Sequence, residues 1–84
     1  FTLAEYNEAV NLYEKNLFES ALTKFNEVLK KETNNAFAYY YRGLIYDEQK
    51  KYKLAIEDYN KFTSIYTTDD EYLQYVEDRQ EVEW

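Results

Sequence analysis

The chain repeats one pattern of residue size and polarity at a fixed interval, the interval that separates Ala21 from Ala55. The same repeat period aligns Ala9 with Gly43. The other aligned apolar pairs are Val10 with Leu44, Leu12 with Tyr46, Phe18 with Tyr52, Leu22 with Ile56, Phe25 with Tyr59 and Val28 with Phe62. Only six aligned positions are identical, so what repeats is residue size and polarity, the properties on which helix packing depends. The pattern therefore predicts two copies of one structural unit.

Within each unit the apolar residues recur at steps of three and four, which is the spacing of one helix face. Proline is absent and glycine occurs once, whereas strand proteins need such turn residues at short intervals. Polar stretches between the apolar runs predict tight corners. We expect five helices, roughly at 2–15, 17–31, 35–49, 52–66 and 69–82. Two of them begin with the spacing of a capping box, Thr2 with Glu5 and Thr68 with Glu71.

Small residues are expected to set the distance between paired helices. Ala9 or Gly43 on the first helix of a pair would let Ala21 or Ala55 on the second approach closely. Phe18 and Tyr52, at the start of the second helices, would fill the corner beneath. Such a hairpin cannot bury its apolar face alone, so we expect the two hairpins to stack.

This pattern resembles the tetratricopeptide repeat, a unit of about 34 residues with the pattern W-x2-L-G-x2-Y followed by A, F and often P. The second unit carries it in Tyr39, Arg42, Gly43, Tyr46, Ala55, Tyr59 and Phe62, and the first unit, more loosely, in Ala9, Leu12, Ala21, Phe25 and Val28. Thr33 and Thr67 stand where proline is usual. Glu8 and Arg42 replace the usual leucine and are expected to be exposed or ion-paired.

The resemblance implies one all-α domain over 1–84, a right-handed stack of two antiparallel helical hairpins of the α-solenoid type plus one capping helix. The units would be 2–35 and 36–69, and the acidic capping helix 70–84. The net charge is −7, of which residues 69–84 carry −6 because Arg79 is the sole base in that segment. Leu73 and Val76 give that segment one apolar stripe, and Glu77 stands where Ala9 and Gly43 occur. Trp84 could either pack on the body or contact another molecule.

Tetratricopeptide arrays are peptide-binding scaffolds in which the first helix of each hairpin lines a concave groove. The resemblance implies partner-binding residues on these two helices, namely Tyr6, Asn7, Val10, Tyr13, Phe37, Tyr40, Tyr41, Leu44 and Asp47. An equally good interpretation is that the tyrosines cover seams between helices and turn their hydroxyls to water. Tyr39, Tyr40 and Tyr41 point about 100° apart on a helix, so at least one must face outward.

The groove predicts a protein or peptide partner with an apolar or amphipathic segment. Asp47 and Glu48 would favour a basic residue on it. Some family members clamp a carboxylate with lysine, asparagine and arginine. Here such positions hold Tyr6, Val10, Tyr41 and Tyr75, so no clamp is expected. The alternative function is a structural self-association module, with a homodimer supplying stacking surface that two repeats lack.

Enzyme chemistry is not expected. The chain has no cysteine and no histidine, and we interpret the acidic pairs, such as Glu57 with Asp58, as capping or solvent positions. We therefore expect no cofactor and no metal site. The acidic balance argues against nucleic acid, and no apolar run is long enough to enter a membrane. The chain begins with Phe1 and lacks methionine, so we expect part of a longer or processed protein. The compartment is left open, with the cytoplasm favoured.

Overall fold

A computed structural model describes residues 3–67, which form four helices and no strand. Helix α1 spans Leu3–Glu14, α2 spans Phe18–Lys31, α3 spans Ala36–Glu48 and α4 spans Tyr52–Thr67. Each end lies within one residue of the bound predicted from the sequence. The predicted fifth helix and both predicted capping boxes involve residues outside the described range.

The helices pair as two successive hairpins, α1 with α2 and α3 with α4. Helix α3 also packs on α2 and α1 and so joins the hairpins into one stack. Helix α4 contacts α3 alone among these four helices. The all-α, stacked-hairpin architecture predicted from the repeat is thus confirmed.

The corner within each hairpin has the same backbone geometry. Asn16 and Lys50, which occupy the same position of the repeat, both have a positive φ, of 63° and 62°. The next residue in each corner donates its amide to a carbonyl five residues back, Leu17 to Leu12 at 2.9 Å and Lys51 to Tyr46 at 2.8 Å. This is the Schellman arrangement, which ends a helix by turning one residue left-handed. The repeat is therefore present in the backbone as well as in side-chain size.

The predicted small positions lie in the core. Ala9 and Ala21 are fully buried and belong to one cluster with Phe25, Val28, Leu29, Ala38 and Ile45. Ala55 is buried in the second hairpin. Gly43 is also buried, but the atoms nearest to it belong to Tyr59 and Asp58 rather than to Ala55. Gly43 therefore makes room for a ring and a carboxylate on α4.

Gly43→Ala should destabilise the chain. A Cβ built at Gly43 would lie 2.8 Å from Cε1 and 2.9 Å from Cδ1 of the Tyr59 ring, closer than carbon atoms pack. Overpacking costs roughly 1–3 kcal/mol, and alanine regains ~1 kcal/mol of helix propensity over glycine. We expect a net loss of about 1 kcal/mol in urea unfolding. With Tyr59→Ala in the background, the same substitution should become neutral or stabilising, and an equal loss in both backgrounds would refute the contact.

Arg42 ties α3 to α4 and to α2. Its Nε and Nη2 donate to the two carboxylate oxygens of Asp58 at 2.8 and 2.7 Å, and its Nη1 donates to Asn26 Oδ1 at 3.1 Å. The guanidinium lies over the rings of Tyr39 and Tyr46, 5.4 and 5.8 Å from their centroids. The hydrogen bonds to Asp58 raise the pKa of Arg42, with burial opposing them. Arg42 is therefore ion-paired, one of the two outcomes the sequence allowed.

Two sequence-based expectations are wrong in this region. Asp58 is only 5% exposed, so it is neither a capping nor a solvent position. It is buried because Arg42 supplies two charge-assisted hydrogen bonds. Tyr52 does not fill a corner but is exposed, whereas Phe18, its equivalent in the first repeat, is half-buried and contacts the Tyr13 ring of α1. Glu8 is the other residue that stands where leucine is usual. It is exposed, and its Oε2 lies 3.7 Å from Nζ of Lys24.

Candidate partner-binding surface

Tyr41 is at the centre of the seam between the hairpins. Its ring stacks on Phe25 at 5.5 Å between centroids, with an interplanar angle of 5°. Tyr6 and Tyr13 on α1 meet the same ring edge-on, at 6.2 and 5.4 Å. All three tyrosines are half-buried and pack against the core. Three of the predicted partner-binding residues therefore have a packing role, the alternative that the sequence left open.

A second aromatic cluster continues the first along α3 and α4. Tyr40 lies 5.1 Å from Phe62, and Phe37 lies 5.4 Å from Tyr66, between ring centroids. Phe62 and Tyr66 stack at 5.1 Å, which closes the cluster. Tyr40 and Phe37 remain 37% and 46% exposed, so this cluster faces outward. Tyr40 is thus the outward residue predicted among the three consecutive tyrosines.

The two clusters form one continuous aromatic surface because Tyr40 contacts Tyr41 at 5.9 Å. Tyr40 also lies 6.1 Å from Tyr59. Tyr59, Phe62 and Tyr66 are on α4, outside the surface predicted from the sequence. The resemblance assigned the groove to first helices alone, while the step of three and four from Tyr59 to Tyr66 could have indicated a second-helix contribution.

The remaining predicted residues occupy the borders of this surface. Asn7 and Asp47 are exposed, while Val10 and Leu44 are half-buried. Val10 packs against the core cluster. The charge of Asp47 helps to raise the pKa of the Tyr59 hydroxyl. The described structure therefore leaves Asn7, Phe37, Tyr40 and Asp47 most open to solvent among the predicted set.

Partial burial favours the neutral form of the tyrosines along this surface. Burial is the main cause that raises the pKa of Tyr6, with the neighbouring Tyr41 adding to it. Burial, followed by the charge of Glu48, raises the pKa of Tyr13. Burial, followed by the charge of Asp47, raises the pKa of Tyr59. Their hydroxyls are therefore protonated at neutral pH and can donate hydrogen bonds.

Other features of the described residues do not suggest chemistry. No group of three or more Asp, Glu, His or Cys within residues 3–67 could hold a metal ion. A depression of about 380 Å³ on α1 and α2 is lined by Glu5, Lys24, Glu27, Lys30 and Lys31. Its charges are largely paired, with Lys31 2.8 Å from Glu5 and Lys24 3.6 Å from Glu27. Among the described helices, none has the length and apolar character needed to cross a membrane.

Comparison with known families matches residues 36–69 to the Tetratricopeptide repeat model. The matched segment contains α3 and α4, and it confirms the family resemblance carried by the second unit. Neither the curated proteins nor the solved structures gave a match to the chain. Tetratricopeptide repeats are helical interaction modules, so the match and the all-helical fold support a protein–protein interaction scaffold in general terms.

Proposed function

We propose that the chain binds a peptide or a partner helix on the surface lined by α1 and α3. The residues we assign to it are Tyr6, Asn7, Val10, Tyr13, Phe37, Tyr40, Tyr41, Leu44 and Asp47. Tyr6, Tyr13 and Tyr41 form its rigid floor, because their rings are held by mutual contacts and by Phe25. A floor of fixed rings lowers the entropy cost of binding, since few side chains need ordering when the partner arrives.

The exposure of Tyr40 and Phe37 is the observation that carries this proposal. Both are large aromatic residues that stay more than a third exposed although each contacts other rings. Aromatic side chains of this kind are enriched among the residues that dominate binding energy. They bring large apolar area with few rotatable bonds, and a tyrosine adds a hydroxyl that can hydrogen-bond. Burial of this pair is the main gain we expect on binding.

The charges at one end of the surface select the partner's chemistry. Asp47 and Glu48 are exposed at the C-terminal end of α3. We therefore propose a partner with an apolar or aromatic residue seated by Tyr40 and a basic residue facing Asp47.

Selection from a displayed library of random peptides tests this function. Peptides enriched on the full chain should carry an apolar residue and a nearby lysine or arginine. Tyr40→Ala and Leu44→Ala should each lower the affinity for a selected peptide by about tenfold or more, because each removes a central contact. Calorimetry measures this affinity. Leu54→Ala is the control, because Leu54 is an exposed apolar residue of α4 outside the assigned surface.

The test requires that an effect on binding be distinguished from an effect on folding. Helical circular dichroism should be the same for both groove variants and the control. Equal affinity of Tyr40→Ala and the unsubstituted chain would contradict the proposed surface. So would a loss of affinity that always accompanies a loss of helicity, because the tyrosines would then serve packing alone.

Self-association is the second candidate function. It is favoured by the exposed side chains of Tyr52 and Ile56, which lie four residues apart and therefore on one face of α4. A homodimer could bury them. Sedimentation velocity from micromolar to hundreds of micromolar should then show a shift from monomer to dimer, and a monomer throughout would refute this alternative.

A further inference from the structure

The first helices of both hairpins end in exposed acidic residues. Glu14 is the last residue of α1, and Asp47 and Glu48 are the last two residues of α3. The last turn of each helix has no basic residue, whereas α2 ends with Lys30 and Lys31. A helix also carries partial negative charge at its C-terminus. Because α1 and α3 pack against each other in equivalent places, this end of the surface attracts a cation.

The lysines of the adjoining corners are not paired with the acids of α3. Lys15 follows α1, and Lys50 follows the end of α3 by two residues. Among residues 3–67, neither Asp47 nor Glu48 takes part in an ion pair. A cation supplied by a partner therefore meets carboxylates that no lysine or arginine of the described chain already holds.

Three tyrosine rings lie at the same end of the surface. Tyr13 and Tyr40 both stand steeply on Tyr41, at interplanar angles of 68° and 73°. Tyr59 contacts Tyr40 at 6.1 Å between centroids. Helices α1, α3 and α4 thus each contribute a ring, and Tyr41 connects those of α1 and α3.

The acids of α3 lie close to these rings. Burial and then Asp47 are the main causes that raise the pKa of Tyr59, and Tyr40 and Tyr13 add to them. Burial and then the charge of Glu48 are the main causes that raise the pKa of Tyr13. Each of the two acids therefore lies near a different ring, and the rings of α1 and α4 lie near each other.

The chain already contains one cation site built from tyrosines and a carboxylate. The guanidinium of Arg42 lies over Tyr39 and Tyr46, at 5.4 and 5.8 Å from the ring centroids. It also donates two hydrogen bonds to Asp58, at 2.8 and 2.7 Å. The ring faces attract the positive charge, and the carboxylate matches the two parallel donors of the guanidinium. Two ring faces and one carboxylate are therefore enough to hold a guanidinium in this fold.

We propose that Tyr13, Tyr40 and Tyr59, together with Asp47 and Glu48, form a binding site for an arginine side chain of the partner. The inference rests on the proposed binding surface and specifies the basic residue that this surface takes. The guanidinium lies against the tyrosine faces, and its N–H groups donate to the two carboxylates, as the Arg42 guanidinium does within the chain.

Arginine suits such a site better than lysine. A guanidinium is planar and weakly hydrated, so it loses little on leaving water and stacks on a ring while it donates hydrogen bonds in its own plane. A lysine ammonium is compact and strongly hydrated, so contact with the rings costs it more hydration. Citrulline has nearly the shape of arginine without the charge, and it therefore loses the attraction to both the rings and the acids.

Titration of the full chain with three small probes tests the site. N-acetylarginine amide, N-acetyllysine amide and N-acetylcitrulline amide are each added to the ¹⁵N-labelled chain at low ionic strength, where exposed charges are least screened. Nuclear magnetic resonance follows the amides of residues 40–48 and the side-chain protons of the probe. We expect arginine to bind about threefold to tenfold more tightly than lysine, and citrulline to give no saturable shift. The δ-methylene protons of bound arginine should move upfield, because ring faces shield them.

Three variants assign the effect to named side chains. Asp47→Asn combined with Glu48→Gln should weaken arginine binding by about fivefold or more, and Tyr40→Leu should reduce the upfield shift. Glu57→Gln is the matched control, because Glu57 is an exposed acid of α4 that is not in the cluster. It should leave the affinity for arginine unchanged. All the replaced side chains are exposed, so helical circular dichroism should stay the same.

Equal affinity for arginine and lysine would overturn the proposal, because charge alone would then account for binding. Saturable binding of citrulline would also overturn it, as would an arginine affinity that the double acid substitution leaves unchanged. Peptides that bind through Tyr40 and Leu44 without preferring arginine would refute this inference and leave the proposed function in place. Arginine binding without any selected peptide would support the site and count against the proposed function.

Discussion

Ala55→Arg is expected to abolish the cooperative unfolding of the chain. Ala55 is 2% exposed and lies in the contact between α3 and α4. Arginine there must either force the helices apart or bury an unpaired charge. Either effect costs about 3 kcal/mol or more, a large part of the roughly 5–15 kcal/mol by which domains are stable. Circular dichroism during heating and urea titration should show a broad, non-cooperative loss of helix.

Leu54→Arg is the matched control for this result. Leu54 precedes Ala55 on the same helix but is 42% exposed, so an arginine there can extend into water. We expect its melting temperature to stay within a few degrees of the unsubstituted chain, as surface substitutions do. If Ala55→Arg melted like Leu54→Arg, the register of the second hairpin would be wrong.

Arg42→Ala should lower the free energy of unfolding by about 3 kcal/mol, because it leaves a buried carboxylate without its partner. Asp58 receives two hydrogen bonds from Arg42, and its side chain is 7% exposed. Removing the guanidinium removes both bonds and also the link to Asn26. Urea unfolding followed by circular dichroism measures the loss.

Two further variants show whether the buried charge is the cause. Arg42→Leu combined with Asp58→Ala removes both charges together and should recover most of the loss, because apolar groups can replace a buried ion pair. Lys24→Ala breaks two surface ion pairs, with Glu8 and with Glu27, and should cost less than about 1 kcal/mol. If Arg42→Ala cost no more than Lys24→Ala, the Arg42–Asp58 pair would contribute nothing to the hairpin.

The fold could be predicted from the sequence because size and polarity repeat at a fixed period. Ala9 and Ala21 are fully buried as expected, and the helix ends agree because polar corners punctuate the apolar steps. The actual capping of α3 was not predicted. Asn35 Oδ1 accepts a hydrogen bond from the Ala38 amide at 3.1 Å. The sequence alone does not say which asparagine of the polar corner caps the helix, because each has a side chain able to do so.

The candidate surface was less predictable because side-chain contacts decide it. The nine assigned residues remain proposals, and the described structure divides them by burial rather than by role. Tyr41 and Tyr40 are adjacent in sequence, yet the first is held in the seam by Phe25 and the second faces outward. Helical periodicity gives a direction for each residue, but it does not say which neighbouring rings will cover it. Asp58 was missed for the same reason, since its burial depends on a guanidinium 16 residues away.

Chemical-shift mapping tests the proposed interaction surface most directly. A ¹⁵N-labelled chain is titrated with a peptide from the displayed library, and the amide shifts are followed residue by residue. We predict that the largest changes occur on α1 and α3, centred on Asn7, Tyr40 and Leu44, and that Tyr40→Ala removes them. Changes concentrated instead on the outer face of α2 or on the corner at 32–35 would contradict a binding surface on the first helices of the two hairpins.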